Sequence, residues 1–163
     1  MTTRVLKVNG INPNEWQGNP GNEYCGRRVI IKNGPHYGAV WENIGFGNCY
    51  KFEADDTDED KRLKLFHFVQ GLNVSLLKAK MLRNRFAKLA GKNLGCWCLN
   101  WDGEGRVPLC HAAWLARIVD LFEETVDGKK AVAVSVNSTG GMLAHHLELP
   151  KENLTTCVIR RLW

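Results

Sequence analysis

The fold is decided by the stretch Gly91-Lys92-Asn93-Leu94-Gly95-Cys96-Trp97-Cys98 and by the Cys110-His111 pair that opens the next apolar segment. The first stretch predicts a strand at residues 94–98. Side chains two positions apart share one face of a strand, so Cys96 and Cys98 are expected to point to one side and Trp97 to the other. Three of the six cysteines and one of the five histidines thus belong to one strand–loop–helix unit.

The segment after this strand predicts a helix over residues 110–126. Large apolar residues recur there at helical spacing, namely Trp114, Leu115, Ile118, Leu121, Phe122 and Val126. Cys110 and His111 fall in the first helical turn or just before it, where free N–H groups and a partial positive charge favour an anion. Because a helix N-terminus lowers the pKa of a thiol, Cys110 is predicted to be the best thiolate of the chain.

The rest of the chain alternates between β-rich runs and helical patterns. Strands are predicted at residues 5–8, 28–32, 39–41, 131–136 and 156–159, and helices at residues 58–69 and 75–90, the first of them capped by Thr57 or Asp58. Asparagine, glycine and proline predict loops at residues 9–14 and 18–22. We therefore expect an α/β fold, a single three-layer domain with a mixed or mostly parallel central sheet that includes strands 94–98 and 131–136.

The composition bounds the class of protein. A chain of 163 residues with 44% hydrophobic and 24% charged residues suits one globular domain, residues 1–163. No apolar run approaches the length of a membrane span, and the N-terminus lacks the apolar core of a signal peptide. The expected location is cytoplasmic, or the host cytoplasm if the protein is viral. Thiols stay reduced there, so the cysteines are expected to be metal ligands, reactive groups or core residues.

The second predicted helix carries basic residues that no acidic residue interrupts. We assign Lys78, Arg83, Arg85 and Lys88 as candidate nucleic-acid contacts. The alternative is that they face the acidic run at residues 53–60 and bind nothing. The formal net charge of +5 favours an anionic partner, either nucleic acid or a nucleotide-like small molecule.

Four short motifs resemble those of a known family. They are Lys92-Asn93-Leu94-Gly95-Cys96-Trp97-Cys98, Pro108-Leu109-Cys110-His111, Tyr24-Cys25-Gly26-Arg27 and Phe46-Gly47-Asn48-Cys49-Tyr50. Together they resemble domain-of-unknown-function family 4326 of bacteria and phages, over residues 4–121, with a C-terminal strand extension at residues 129–163. The resemblance implies an α/β fold and a site at these motifs, with Arg27 and Asn48 in its pocket.

The favoured functional hypothesis is a small enzyme that binds a nucleotide, nucleoside or modified base at the strand–helix junction. Cys110 would act as thiolate or anchor and His111 as acid or base. Arg27 would hold a phosphate with its planar fork, and Asn48, Cys96 and Cys98 would complete the ligand pocket. This hypothesis requires no cofactor.

Two other hypotheses remain open. In one, Cys96 and Cys98 are small apolar fillers of a core strand. In the other, Cys96, Cys98, Cys110 and His111 hold a zinc ion in a non-catalytic nucleic-acid-binding module. Consecutive residues diverge on a helix, so Cys110 and His111 are not expected to reach one ion together.

Overall fold

A computed structural model describes residues 2–126, 131–136 and 142–147. It combines helices with a parallel sheet, which confirms the predicted α/β class. In chain order the elements are β1 (Arg4–Lys7), α1 (Pro13–Gly18), β2 (Asn22–Tyr24), β3 (Val29–Ile30), β4 (Val40–Trp41), α2 (Asp58–Lys78), α3 (Lys80–Ala87), β5 (Asn93–Cys96), α4 (His111–Val126), β6 (Ala131–Val136) and β7 (Met142–Leu147).

The central sheet has the order β1-β5-β2, and both pairings are parallel. Leu94 in the middle strand lies opposite Val5 on one side and Glu23 on the other. The carboxyl ends of the three strands, at Lys7, Tyr24 and Cys96, therefore meet at one edge of the sheet. The segments that follow these strands are brought together at that edge.

Each face of the sheet covers its own apolar core. Val5 packs into the larger core, and the next residue, Leu6, packs against the smaller one, as the alternation of a strand requires. The larger core contains one side of α2 and nearly the whole circumference of α4 between residues 112 and 119. The smaller core consists of Val8, Trp16, Tyr24 and Trp41. Helix α4 is thus fixed against the sheet, with its first turn at the carboxyl edge.

Helix α2 begins as predicted but runs further. Thr57 forms a capping box with Asp60: the Asp60 N–H donates to Thr57 Oγ1 at 3.1 Å, and the Thr57 N–H donates to Asp60 Oδ2 at 2.9 Å. The predicted break after residue 69 is wrong, because the helix continues through Gly71 to Lys78. A glycine inside a helix costs about 1 kcal/mol. Burial of Leu72 and Leu76 beyond it outweighs that cost.

Two elements of the first third differ from the expectation. Helix α1 occupies part of the predicted loop at residues 9–14: the Asn12 side chain caps it by accepting the Asn14 N–H at 3.0 Å, and Pro13 takes the first helical position. The strand predicted at residues 28–32 is only Val29–Ile30, and it pairs with β4 alone. Ile30 is 47% exposed, so this hairpin is not the buried strand that its apolar residues predict.

The C-terminal strands also differ. Residues 131–136 do form a strand, but β6 pairs with β7 in a separate antiparallel hairpin, so its predicted place in the central sheet is wrong. The strand predicted at residues 156–159 lies outside the described residues. Among the helices that the structure describes, none is long and apolar enough to span a bilayer.

Candidate functional site

Cys96, Cys98, Cys110 and His111 meet at the carboxyl edge of the sheet and are called here the cysteine–histidine cluster. Cys96 Sγ lies 3.5 Å from Cys98 Sγ, 3.7 Å from Cys110 Sγ and 3.9 Å from His111 Nδ1. One ligand atom each of Cys96, Cys110 and His111 lies within 4.8 Å of the others, and all three residues are buried. These residues could hold a metal ion.

The convergence of Cys110 and His111 depends on where helix α4 begins. The Trp114 N–H donates to the Cys110 carbonyl at 3.1 Å, so Cys110 is the residue before the helix and His111 is its first residue. The Cys110 side chain starts from the residue before the helix and the His111 side chain from its first residue. Both approach Cys96. The expectation that they diverge is therefore wrong.

A hydrogen bond at the far side of the imidazole fixes the orientation of His111. The Nε2 atom lies 2.9 Å from the carbonyl oxygen of Cys25. A carbonyl only accepts, so Nε2–H is the donor and the neutral ring keeps a lone pair on Nδ1, the nitrogen that faces Cys96. Burial lowers the pKa of His111, and this effect outweighs the opposing effects of the Cys25 hydrogen bond and of Cys98. Phe68 packs edge-to-face on it.

The three thiols of the cluster differ in burial and in pKa. Cys96 and Cys110 are buried, whereas Cys98 follows the end of β5 and is exposed. Hydrogen bonds from Cys110 and Cys96 lower the pKa of Cys98. The bonds that Cys110 donates to Cys96 and Cys98, together with burial, raise its own pKa. Hydrogen bonding among the sulfurs thus lowers the pKa at Cys98 and raises it at Cys110. The catalytic roles of Cys110 and His111 stay predictions.

Two glycines bring the loops after β2 and β4 beside the cluster. A Cβ on Gly26 would lie 2.3 Å from the Tyr24 hydroxyl oxygen, and a Cβ on Gly47 would lie 3.2 Å from the Gly26 carbonyl oxygen. Only glycine permits this contact between the segments that carry Arg27 and Asn48. Asn48 is buried and its Oδ1 accepts the Tyr50 N–H at 2.8 Å. Its predicted contact with a ligand stays a prediction.

Arg27 is exposed and forms no ion pair with another described residue. Its loop is held at two points. The Tyr24 hydroxyl donates to the Arg27 carbonyl at 2.8 Å, and Cys25 is held by His111 and by its own N–H, which donates to the Gly95 carbonyl at 3.1 Å. These hydrogen bonds therefore hold the backbone of the Arg27 loop next to the cluster.

Two of the basic residues of the second predicted helix donate hydrogen bonds to backbone carbonyls of the fold. Arg83 donates to the Leu76 carbonyl at 2.7 Å, and Arg85 donates to the Ile44 carbonyl at 2.5 Å. These two guanidinium groups tie α3 to its neighbours. Lys88 is exposed, and Lys78 is the last residue of α2. Binding of nucleic acid by the four residues stays a prediction.

Sequence reasoning did not single out three groups at the carboxyl edge of the sheet: the Cys25 carbonyl, Lys7 and Trp97. Lys7 ends β1 opposite Cys96, and Trp97 donates its indole N–H to the Tyr24 hydroxyl at 2.7 Å. A backbone carbonyl leaves no mark in a sequence. Knowledge that β1, β2 and β5 are parallel neighbours would have been enough to find the other two.

Fold and site together define a small α/β domain with a cysteine–histidine cluster at the carboxyl edge of a parallel sheet. A family model described as "Domain of unknown function (DUF4326)" matches residues 8–121, and the chain belongs to this family. The resemblance stated from the four motifs is thus confirmed. Neither the curated proteins nor the solved structures include a significant match to the chain.

Proposed function

We propose that the chain is a zinc-binding domain in which the cysteine–histidine cluster holds one zinc ion tetrahedrally. A tetrahedral zinc ion with Zn–S bonds of about 2.3 Å and Zn–N bonds of about 2.0 Å separates its sulfurs by about 3.8 Å, and a sulfur from a nitrogen by about 3.5 Å. Cys110 Sγ lies 3.7 Å and His111 Nδ1 3.9 Å from Cys96 Sγ, and the ligand atoms of these three residues all lie within 4.8 Å of one another. Cys98 is outside this group, and its Sγ, 3.5 Å from Cys96 Sγ, would supply the fourth ligand. This spacing is the observation that carries the proposal.

The protonation of the histidine supports the same assignment. Zinc-bound histidines usually donate their second ring N–H to a carbonyl or carboxylate, which fixes the tautomer. His111 makes such a bond to the Cys25 carbonyl and directs Nδ1 toward the sulfurs. The alternative of cysteines that merely fill the core explains the burial of Cys96, but it gives no reason for an exposed Cys98 or for an imidazole nitrogen among the thiols.

The charge around the cluster also suits a zinc–thiolate centre. Three thiolates and one Zn²⁺ carry a net charge of −1. The positive charges of Lys7 and Arg27 act on Cys98 and His111 respectively. Zinc displaces the protons of Cys96 and Cys110, so its binding releases protons and becomes weaker as the pH falls.

Metal analysis of the purified protein tests the proposal. We expect one zinc per chain by native mass spectrometry. Cys96→Ser and Cys110→Ser should lose zinc and unfold at a lower temperature, because each removes a buried ligand. Cys49→Ser is the matched control, since Cys49 is an exposed cysteine outside the cluster and should keep the zinc. A wild-type protein without zinc that also fails to take it up at micromolar concentration would refute the proposal.

A second candidate function is the small enzyme predicted from the sequence. The observation in its favour is that one of the four ligands, Cys98, is exposed while the other three are buried. Ligands bind at the carboxyl edges of parallel sheets in α/β proteins, and Cys98 lies there. In this case zinc would occupy Cys110 and His111. A reaction of a nucleotide, nucleoside or modified base would then take place at the exposed side of the zinc site, where Cys98 lies.

The nucleic-acid-binding alternative has less support. Arg83 and Arg85 each donate to a backbone carbonyl of the fold, so only part of their donor capacity is left for a phosphate. Turnover of a nucleotide-type substrate that Cys98→Ser abolishes while zinc stays bound would support the enzyme. Zinc binding with no such turnover, together with salt-dependent binding of DNA or RNA, would support the module.

A further inference from the structure

Three exposed side chains lie at the carboxyl edge of the parallel sheet, where the cysteine–histidine cluster also lies. They are Lys7, Arg27 and Trp97, called here the edge surface. Each follows or ends a different strand of the parallel sheet: Lys7 ends β1, Arg27 follows β2 and Trp97 follows β5. All three are exposed, and Trp97 lies on the opposite face of the sheet from Cys96 and Cys98, as its contacts with Tyr24 and Trp41 show.

Trp97 is an exposed aromatic ring with a fixed orientation. It is 36% exposed, yet its indole N–H donates to the Tyr24 hydroxyl at 2.7 Å and its ring packs edge-to-face on Trp41 at 6.3 Å. Tyr24 also packs against Trp41, so the three rings support one another. An aromatic side chain that is held before a ligand arrives loses little entropy on binding and offers a surface for stacking a planar ring.

Lys7 and Arg27 supply positive charge without a compensating carboxylate. Neither forms an ion pair with a side chain that the structure describes. The neighbouring Arg28, in contrast, pairs with Glu42 at 3.2 Å. The Arg27 loop is fixed through the Tyr24 hydroxyl, which also holds Trp97. The same phenol thus joins the Trp97 ring to the backbone of Arg27.

We infer that the edge surface binds an anion that carries a planar ring, of the class of the nucleoside monophosphates. The ring stacks on Trp97, and the phosphate pairs with Arg27 and Lys7, across the carboxyl edge of the sheet. The planar guanidinium of Arg27 matches the geometry of a phosphate group. Lys7, at the end of the other outer strand, adds a second positive charge but no specificity for the base. Lys7, Arg27 and Trp97 are not zinc ligands, so binding of the monophosphate does not depend on the proposed zinc centre. Only a reaction of the bound ligand would rest on the proposed function.

Calorimetric titration of the zinc-loaded protein tests this inference. The probes are the four nucleoside monophosphates, together with adenosine and ribose 5-phosphate, which carry only one of the two groups. We expect at least one monophosphate to bind about tenfold more tightly than either partial probe, because both groups contribute. Zinc content is measured on the same samples.

Matched variants assign the contacts. Arg27→Gln and Trp97→Leu should each weaken binding of the monophosphate by about tenfold or more. Arg28→Gln and Tyr37→Leu are the controls and should leave affinity within about twofold, since Arg28 is already paired and Tyr37 lies exposed on another loop. Arg27→Gln should also reduce the salt dependence of binding, whereas Arg28→Gln should not.

The outcomes separate the two proposals. No binding of any monophosphate at millimolar concentration by a protein with one zinc per chain overturns the edge surface and leaves the zinc centre standing. Binding that follows Arg27 and Trp97 in a protein without zinc supports the edge surface and refutes the zinc centre. Tighter binding of an oligothymidylate that depends on Arg85 and Lys88, and not on Arg27, also overturns the inference.

Discussion

Removal of one hydroxyl group, in Tyr24→Phe, should loosen the edge surface without disturbing the core. The hydroxyl accepts the Trp97 indole N–H at 2.7 Å and donates to the Arg27 carbonyl at 2.8 Å. The ring stays in place, because Phe conserves its packing on Trp41. The change therefore isolates the two hydrogen bonds.

The expected magnitude follows from these two bonds. Each intramolecular hydrogen bond contributes about 1 kcal/mol net. Trp97 and Arg27 are exposed and can bond to water instead, so we expect a loss of about 1–2 kcal/mol in the free energy of unfolding. For a chain of this size that lowers the melting temperature by about 2–8 °C. The affinity for a monophosphate should fall as well, because neither Trp97 nor Arg27 is held in place.

Thermal unfolding of the zinc-loaded protein, followed by circular dichroism, measures the effect. Tyr50→Phe is the control, since it removes a hydroxyl from a tyrosine that is 40% exposed. Zinc content should stay the same in both variants. If Tyr24→Phe melts with the wild type and binds the monophosphate equally well, the hydroxyl does not organise the edge surface and the reasoning is refuted.

Two further predictions concern stability and pH. Thr57→Ala removes the cap of α2 and should cost about 1 kcal/mol, whereas Thr57→Ser should retain the cap; equal unfolding free energies by urea titration would contradict the role of the capping box. Burial raises the pKa of Tyr24 to about 12, with a smaller opposing effect from the Trp97 hydrogen bond. A folded pKa above the unfolded one means that this stabilisation is complete below about pH 10 and is lost as the pH rises from about 10 to 12. Absorbance at 295 nm should show one late-titrating tyrosine that Tyr24→Phe removes, and its absence from the wild type would disprove the assignment.

The local part of the site could be predicted from the sequence. The pattern around Cys96 and the apolar periodicity after Cys110 place a strand and a helix correctly to within two residues. The position of the site at the end of that strand also follows from them. Helix α1 had signals in Asn12 and Pro13, but the surrounding glycines and asparagines favoured a loop.

The non-local part could not be predicted. Whether Cys110 or His111 is the first helical residue decides if their side chains converge, and a boundary of that precision is not encoded in periodicity. The hydrogen bonds that lower the pKa of Cys98 and raise that of Cys110 join three sulfurs from two separate segments, which periodicity does not show. Likewise, the basic pattern of α3 gives no sign that Arg83 and Arg85 donate to carbonyls of the fold.

The most direct test of the zinc centre is X-ray absorption at the zinc edge on the protein as purified. The account predicts three sulfur neighbours at about 2.3 Å and one nitrogen at about 2.0 Å. Cys98→Ser should change this set to two sulfurs with the nitrogen and an oxygen, while Cys49→Ser should leave it unchanged. A zinc ion surrounded only by oxygen and nitrogen, or a folded protein that binds no zinc, would contradict the account.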